Sequence, residues 1–464
     1  MHPFRAVSSV GAVLTALPLA LGALAAPAAA PPAAAAPGQT ALASPQALPT
    51  AQIDGVVWDQ AVVGNTVYVV GEFHNARPAG AAAGENESPR YNAMAYDITT
   101  GELLDWAPQL NAAANAIEAS PDGSTLYMAG LFTQVNNLER LRAAAVDLKT
   151  QQVTNFAPQV DDDSEVRAIT VAADGSAVAI GGSFETVEGS SDAYGMAILE
   201  NDGSLRRNNA SSVVRGAGTW ASVMSVKADE QGLYAASYSQ TGSFEGVMRL
   251  NWKTGDIDYM ADCHGDSYDV LPAGDVVYAA SHSHDCSNIG GFPDVANHYH
   301  NAVAYTNAST GTVQATHNGS YQDYEGQNAT TNLNFYPDFT PGKISGANQA
   351  TWTVEGNDKY VVYGGEFLAV NGTAQQGLVR FARRDIAPNK QGPMDKGGAF
   401  KVTGSSPRAG VVSLSFKANW DRDDKTLTYN VYRDSMNGQP VSSQSVTAGF
   451  WERSELSATD VVDP

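Results

Sequence analysis

The sequence GNTVYVVGEF (residues 64–73) is the first copy of a short pattern that recurs through most of the chain. Apolar residues occupy alternate positions after a glycine-containing turn, which predicts a β-strand with one buried face. The later copies are GSTLYMAGLF (residues 123–132), GSAVAIGGSF (175–184), the weaker GLYAASYS (232–239) and GDVVYAASHS (274–283), and YVVYGGEF (360–367). Recurrence at this spacing predicts successive copies of one strand-rich unit.

A second pattern accompanies the first and gives the length of the unit. Asp97-Ile-Thr-Thr-Gly with Trp106-Ala-Pro-Gln-Leu recurs 50 residues later as Asp147-Leu-Lys-Thr-Gln with Phe156-Ala-Pro-Gln-Val. Residues 166–184 indicate one hairpin closed at Asp174-Gly, a favoured two-residue turn. Four strands in about 50 residues is the period of a propeller blade, whereas a solenoid of parallel strands has shorter repeats.

We therefore predict an all-β protein in which residues 51–387 form a six-bladed β-propeller. The fifth and sixth copies end 84 residues apart, at Ser283 and Phe367, and this wide spacing indicates either a long loop or a seventh blade. Aromatic residues at matching positions of the repeats are predicted to fill the cores of the blades. They are Phe73, Phe132, Phe184, Phe367, Trp106, Phe156, Tyr68, Tyr127 and Tyr278.

The pattern changes near the C-terminal end of the sequence. Residues 388–399 are rich in proline, glycine and polar residues, which predicts a linker. In residues 412–420, Val412, Leu414 and Phe416 alternate with polar residues, as in a half-buried strand. We predict an immunoglobulin-like β-sandwich over residues 400–464, incomplete beside the roughly 100 residues of such a domain.

The N-terminal segment has the composition of an export signal followed by a tether. Residues 1–25 combine a short basic start, an apolar stretch and a small-residue cleavage motif, and residues 26–50 are mostly alanine and proline. No later stretch has the roughly 18 consecutive apolar residues of a membrane span. We expect a secreted protein, extracellular or associated with the cell surface, without membrane insertion.

The composition bears on partners. The net charge is −22 and the sequence pI is about 4.6, so nucleic acids and anionic membrane surfaces would repel the chain. We expect a monomer that binds an extracellular glycan or protein.

Five stretches resemble one group of proteins. They are CHGDSYDV (residues 263–270), ASHSHDCSNIGGFP (280–293), GANQATW (346–352), YGGEFLAVNGTAQQGLVRFA (363–382) and WDRDDKTLTYNVYRD (420–434). The chain resembles secreted actinobacterial multidomain proteins that carry an N-terminal Kelch-like or delta-sixty-type propeller. In these proteins a fibronectin type III domain follows, often with laminin-G-like or PKD modules. The resemblance implies this architecture and says little about function.

Both cysteines of the chain lie around the fifth copy of the repeat. Cys263 and Cys286 flank one predicted hairpin at its open end, and export favours a disulfide between them. His264, Asp266, His282 and His284 lie at the same end. By analogy with other propellers, this end belongs to a ligand-binding face.

Metal binding is one hypothesis for the histidines. His282 and His284 have the spacing that places two side chains on one face of a strand, as do His298 and His300. With Asp266 or Asp285 they offer ligands for zinc or copper, while local hydrogen bonding is the alternative. The acidic residues 161–165, and Asp421 with Asp423 and Asp424, suggest calcium or a solvated turn.

The sequence contains no Gly-x-Ser-x-Gly, Walker or His-Glu-x-x-His motif. We therefore predict a non-catalytic binding or adhesion protein whose propeller face contacts a glycan or protein. The alternative is an enzyme, either a copper- or zinc-dependent oxidoreductase or a carbohydrate-active enzyme with paired carboxylates. Candidates for those carboxylates are Asp54, Glu72, Glu185, Asp266 and Glu366.

Overall fold

The computed structural model describes most of residues 42–462. Left outside are residues 121, 141–142, 156–165, 173, 175, 183–185, 187–189, 201–204, 215–220, 241–242, 297 and 389–390. The predicted signal segment, the acidic stretch 161–165, Phe156, Phe184 and Glu185 therefore lie outside the described residues. Two compact units are present, one over Thr40–Asn389 and one whose C-terminal part is Lys390–Pro464.

The prediction of an all-β chain is confirmed. Among the described residues, helix is limited to the α-helix Ala210–Val214 and the 3-10 helices Ser191–Ala193, Ser287–Ile289 and Gly397–Ala399. Strands form most of the regular structure of both units.

Six antiparallel sheets account for most of the larger unit, and we number them in chain order. Sheet I contains Val56–Val63, Thr66–Glu72 and Ala93–Asp97, and sheet II contains Ala114–Ala119, Thr125–Gly130, Ala143–Asp147 and Gln152–Val153. Sheet III contains Val166–Val171, Ala177–Gly182, Met196–Glu200 and Leu205–Arg206, and sheet IV contains Ala221–Ala228, Leu233–Ser239, Gly246–Leu250 and Ile257–Ala261. Sheet V contains Ser267–Ala273, Val276–Ser283 and His300–Thr306, and sheet VI contains Thr351–Gly356, Tyr360–Gly365, Leu378–Arg383 and Ala43–Leu48.

Short strands either extend these sheets or form small sheets of their own. Asn328–Ala329 and Gly311–Thr312 extend sheet IV, so part of the long gap between the fifth and sixth repeats joins an existing sheet. The remaining short strands of this unit are Gln52–Ile53 with Asn75–Arg77 and Ser88–Pro89, Gln134–Val135 with Leu138–Glu139, and Phe339–Thr340 with Ala369–Val370 and Thr373–Ala374.

The first strands of the sheets pack on one another. The first strand of sheet I contacts those of sheets II and VI, and the first strand of sheet IV contacts those of sheets III and V. The first strands of sheets V and VI are also in contact.

Each first strand carries a bulge at the same place. The register with the second strand skips one residue in all six sheets, and these extra residues are Trp58, Asn115, Arg167, Met224, Tyr268 and Trp352. A bulge leaves one residue without a partner opposite and redirects its side chain. The sequence pattern did not predict this feature.

The N-terminal end of the larger unit differs from the prediction. Ala43–Leu48 falls in the segment predicted as a linker, yet it forms a strand that pairs with Leu378–Arg383 of sheet VI. Ala43 is fully buried, and its N–H donates to the Tyr278 hydroxyl at 2.8 Å. The small residues of Ala43–Leu48 fit the edge of sheet VI. The register shifts across Pro45, whose nitrogen has no hydrogen to donate to the strand pairing.

The repeat phenylalanines lie in the core as predicted. Phe73, Phe132 and Phe367 are at most 1% exposed. The three repeat tyrosines were also predicted to lie in the core. Tyr278 is buried as predicted, but Tyr68 is half-buried and Tyr127 is 41% exposed. Tyr68 packs edge-on against Trp106 at the border of its cluster.

The described residues of the smaller unit form two sheets. Val402–Arg408, Val411–Lys417 and Glu455–Val461 form one, and Thr426–Val431 with Ser442–Thr447 forms the other. Phe416 is buried and lies 5.6 Å from the Tyr429 ring, whereas Val412, predicted on the same face, is 38% exposed.

A charged network joins the first strands of five sheets, I, II, IV, V and VI. The Lys227 ammonium lies 2.5 Å from a Glu355 carboxylate oxygen. Ser225 and Thr353 hydroxyls donate to Asp269 at 2.6 and 2.9 Å, and Asp59 accepts from the Ile117 N–H at 2.8 Å. Burial raises the pKa of Asp59 to about 8 and that of Glu355 to about 7, although the Lys227 charge opposes both shifts.

This network predicts a pH dependence of stability. A carboxyl whose pKa is raised by folding binds its proton more tightly in the native state, so stability falls as pH rises from about 4 towards 8. Each such proton contributes a slope of up to about 1.4 kcal/mol per pH unit. Urea unfolding across this range should show a smaller decline for Asp59→Asn than for the unsubstituted chain. Asp122→Asn, at an exposed turn, should leave the slope unchanged, and an identical slope in Asp59→Asn would contradict the prediction.

Candidate functional site

A disulfide fixes the open end of the first hairpin of sheet V. Cys263 and Cys286 are joined, with their Cα atoms 4.1 Å apart, and both are buried. Between the disulfide and the hairpin, His264 and Asp285 form an isolated antiparallel β-bridge through their backbones. The backbone N–H of His284 donates to the His264 carbonyl at 2.9 Å. The predicted pairing is confirmed, and it holds the histidine-bearing segments side by side.

Three of the bulged residues form an aromatic surface beside this end. The rings of Trp58 and Trp352 have centroids 5.2 Å apart, and those of Trp352 and Tyr268 are 4.6 Å apart. These rings come from sheets I, VI and V, and all three side chains are partly exposed. The repeated bulge therefore places aromatic side chains from distant parts of the chain in contact.

The surface continues through the histidines. The Tyr268 hydroxyl lies 3.0 Å from His282 Nδ1, and His282 lies edge-on to Tyr299 at 5.4 Å. Tyr299 also contacts His284, whose Nε2 lies 3.0 Å from the Tyr321 hydroxyl. The Tyr321 ring stacks on His264 at 3.9 Å. We call this contiguous set the aromatic track: Trp58, Trp352, Tyr268, His282, Tyr299, His284, Tyr321 and His264.

Carboxylates hold the rings of the track in place. The Tyr268 hydroxyl donates to Asp266 at 3.2 Å, and His284 Nδ1 lies 3.5 Å from Asp294. Glu366 is fully buried and accepts from the Ser345 N–H at 3.0 Å and from the indole N–H of Trp352 at 3.4 Å. Three rings of the track, those of Tyr268, His284 and Trp352, thus each have a carboxylate partner.

The predicted site residues separate into two groups. His264, Asp266, His282 and His284 come together in or beside the track, as the sequence suggested. The ring centroids of His298 and His300 are 4.8 Å apart, and those of His300 and Phe292 are 4.0 Å apart.

The carboxylates suggested for a glycosidase are distributed differently. Glu366 contacts the track, whereas Asp54 accepts from the N–H groups of His74 and Asn75 in a local turn. Glu72, at the same repeat position as Glu366, is exposed. The two glutamates therefore do not share one repeated role.

Sequence reasoning missed most of the track. Trp58, Trp352 and Tyr268 reach it through bulges, which a period-two pattern does not reveal. Tyr299 and Tyr321 come from irregular segments, where no periodicity exists to guide a prediction.

Burial perturbs several titratable groups beneath the track. It raises the pKa of Glu245 to about 8, an effect that the Asp266 charge increases. Burial likewise raises the pKa of Asp262 to about 7, against a hydrogen bond from the Asn288 amide. The pKa of His264 and that of His282 are lowered by burial, so both imidazoles are favoured in the neutral form.

The metal hypothesis for His282 and His284 gains no third ligand from the geometry. Each imidazole has a tyrosine hydroxyl at 3.0 Å, Tyr268 for one and Tyr321 for the other. In the part of the chain that the structure describes, the group with three ligand atoms within 4.8 Å of one another is Asp421, Asp423 and Asp424.

Comparison with known proteins gives little further information. No family model and no curated protein matches the chain. Among solved structures, hydrazine synthase from Kuenenia stuttgartiensis is 12% identical over 67% of this chain and 74% of its own, with a TM-score of 0.33. A computationally designed protein, Ika8, is 12% identical over 86% of this chain and 91% of its own, with a TM-score of 0.29. Similarities this weak support no conclusion about fold or function.

None of the helices within the described residues is long and apolar enough to cross a bilayer.

The disulfide generates a prediction about stability. Replacing both cysteines, as in Cys263→Ser with Cys286→Ser, should lower the free energy of unfolding by about 3 kcal/mol, because the open chain gains entropy when unfolded. Urea titration of the larger unit's transition measures this loss. Each single substitution should cost about as much as the pair, and clearly additive effects of the two would contradict a shared bond.

Proposed function

We propose that this protein is an extracellular, non-catalytic glycan-binding protein whose aromatic track is the binding surface. In this proposal residues 51–387 form a six-bladed propeller, and the smaller unit is a fibronectin-like spacer. Six successive sheets, the contact between the first strands of sheets VI and I, and the N-terminal strand added to sheet VI support the propeller.

The chemistry of the track favours a sugar. A pyranose ring presents a flat C–H face, which packs on aromatic rings, and hydroxyls at its edge, which donate to carboxylates. Both partners occur here, since tilted rings of Trp58, Trp352 and Tyr268 adjoin Asp266. This contiguous run of partly exposed rings beside fixed carboxylates is the observation that carries the proposal.

The charge of the track selects among glycans. The ionisable partners of His282 and His284 are Asp266 and Asp294, both acidic. Sulfated or uronic acid polymers would be repelled by this surface and by the net charge of −22. Neutral hexose polymers and amino-sugar polymers are therefore the expected ligands.

A second candidate is a carbohydrate-active hydrolase, and one observation favours it. General acids in glycoside hydrolysis need a carboxyl that stays protonated near neutral pH, and Glu245 and Asp262 have pKa values of about 8 and 7. Both are at most 5% exposed, however, and Glu245 accepts from the Gly265 N–H at 2.8 Å. Because both carboxyls are buried, a substrate would reach them only after a rearrangement, so binding without turnover is the better supported function.

The binding proposal is tested with substitutions in the track. Trp352→Ala and Tyr299→Ala should each weaken binding of a neutral or amino-sugar oligosaccharide by on the order of tenfold, a loss of about 1.4 kcal/mol. A glycan array on the full chain finds the ligand, and calorimetry measures its Kd in each variant.

The matched control is Tyr91→Ala, which removes a 42% exposed tyrosine outside the track and should leave Kd unchanged. Equal losses in Tyr91→Ala and Trp352→Ala would contradict a specific surface. Release of shorter sugars from the bound polysaccharide would favour the hydrolase instead.

A further inference from the structure

His264 is a buried polar residue beneath the aromatic track. Its side chain is 3% exposed, and neither of its ring nitrogens has a hydrogen-bond partner among the described residues. The nearest carboxylate oxygens are Asp262 Oδ2, 4.0 Å from Nε2, and Asp285 Oδ2, 3.8 Å from Nδ1. A buried polar group without hydrogen bonds lowers the stability of the folded state. We therefore expect a ligand for the imidazole nitrogens of His264.

A second buried group beside it is also incompletely satisfied. The Asn288 amide nitrogen donates to Asp262 Oδ2 at 2.6 Å, while the Asn288 amide oxygen has no partner. The oxygen and nitrogen of an amide exchange places by a simple flip, which would turn the oxygen towards Asp262. Asp262 Oδ2 is thus a shared neighbour of the His264 imidazole and the Asn288 amide, and all three residues are buried.

The charge around this place is negative. The charged groups that act on Asp262 are Asp323 and Asp285, both acidic, and those that act most on Glu245 are Asp266 and Asp262. Buried carboxylates are stable only when protons or cations compensate them. A bound cation would compensate this negative charge.

The disulfide holds both ligand-bearing segments. Cys263 lies between Asp262 and His264, and Cys286 lies between Asp285 and Asn288. All four side chains therefore belong to two short segments tied at one point, which fixes their spacing before any ligand binds.

We propose that Asp262, His264 and Asn288 bind a divalent transition cation, for which zinc is the representative, beneath the aromatic track. Two ligands of a tetrahedral zinc ion lie about 3.4 Å apart. The 4.0 Å between Asp262 Oδ2 and His264 Nε2 would therefore close slightly around the ion, and the 2.6 Å contact between Asp262 and Asn288 would open. Asp285 then takes the position of the carboxylate that receives the other ring N–H of a metal-bound histidine. One nitrogen and two oxygens suit zinc and its neighbours better than calcium.

This site differs from the His282–His284 pair suggested by the sequence, and it does not depend on whether the track binds a glycan. Through the stacked Tyr321 ring, an ion at His264 would fix one end of the track. Zinc binding and sugar binding can therefore fail or succeed separately.

The test measures metal in the full chain. Protein loaded with zinc, then desalted, should retain one zinc ion per chain by elemental mass spectrometry, and calorimetry should give a saturable zinc isotherm. His264→Phe keeps a ring on Tyr321 but removes both nitrogens, and it should lose this ion. Asp262→Asn should weaken zinc binding at least tenfold.

Two controls locate the ion. His74→Ala removes an exposed histidine elsewhere and should retain zinc, as should a variant with Asp421→Asn and Asp423→Asn. Zinc retained in His264→Phe, or no zinc in the unsubstituted chain, would overturn the proposal. If His264→Phe fails to fold, the thermal midpoint of the unsubstituted chain decides, because zinc should raise it and a chelator should reverse the rise, whereas no shift would refute the site.

Discussion

The bulge in the first strand of every sheet is the constraint on which the remaining features depend. It inserts one residue into an otherwise regular hairpin, and it does so at the same position in sheets I to VI. The residue at the bulge is released from ladder pairing, so its identity can vary without disturbing the buried faces. Sheets I, V and VI use that freedom for Trp58, Tyr268 and Trp352, whose rings meet.

The residue after each bulge has the opposite role. Asp59, Ser225, Asp269 and Thr353 follow the bulges of four sheets and join them through hydrogen bonds. These contacts cross between sheets that are distant in sequence, which pairing within a hairpin cannot do. Two adjacent positions of the repeat therefore have different roles. The bulged residue lies at the track, and the next residue links the sheets to one another.

The sequence was informative where structure follows local periodicity and failed where it does not. The hairpin of sheet III, the buried Phe73 and Phe367, and the Cys263–Cys286 pair all follow from alternation, turn chemistry and spacing. A bulge shifts the phase of the alternation by one residue, so Trp58 and Trp352 looked like ordinary strand positions. Ala43–Leu48 has a linker's composition, and only its distant partner strand makes it part of a sheet.

That distant partner sets the order in which the larger unit can be completed. Residue 43 pairs with residue 383, so sheet VI gains its outer strand only after nearly the whole unit has been synthesised. Contacts so far apart in sequence carry a large loop-closure entropy and slow the search for the native state. Until Ala43–Leu48 pairs with it, the edge of Leu378–Arg383 offers unpaired N–H and C=O groups, which are the usual template for association with another chain. The unit is thus most prone to aggregate late in its folding, and its N-terminal strand removes that risk.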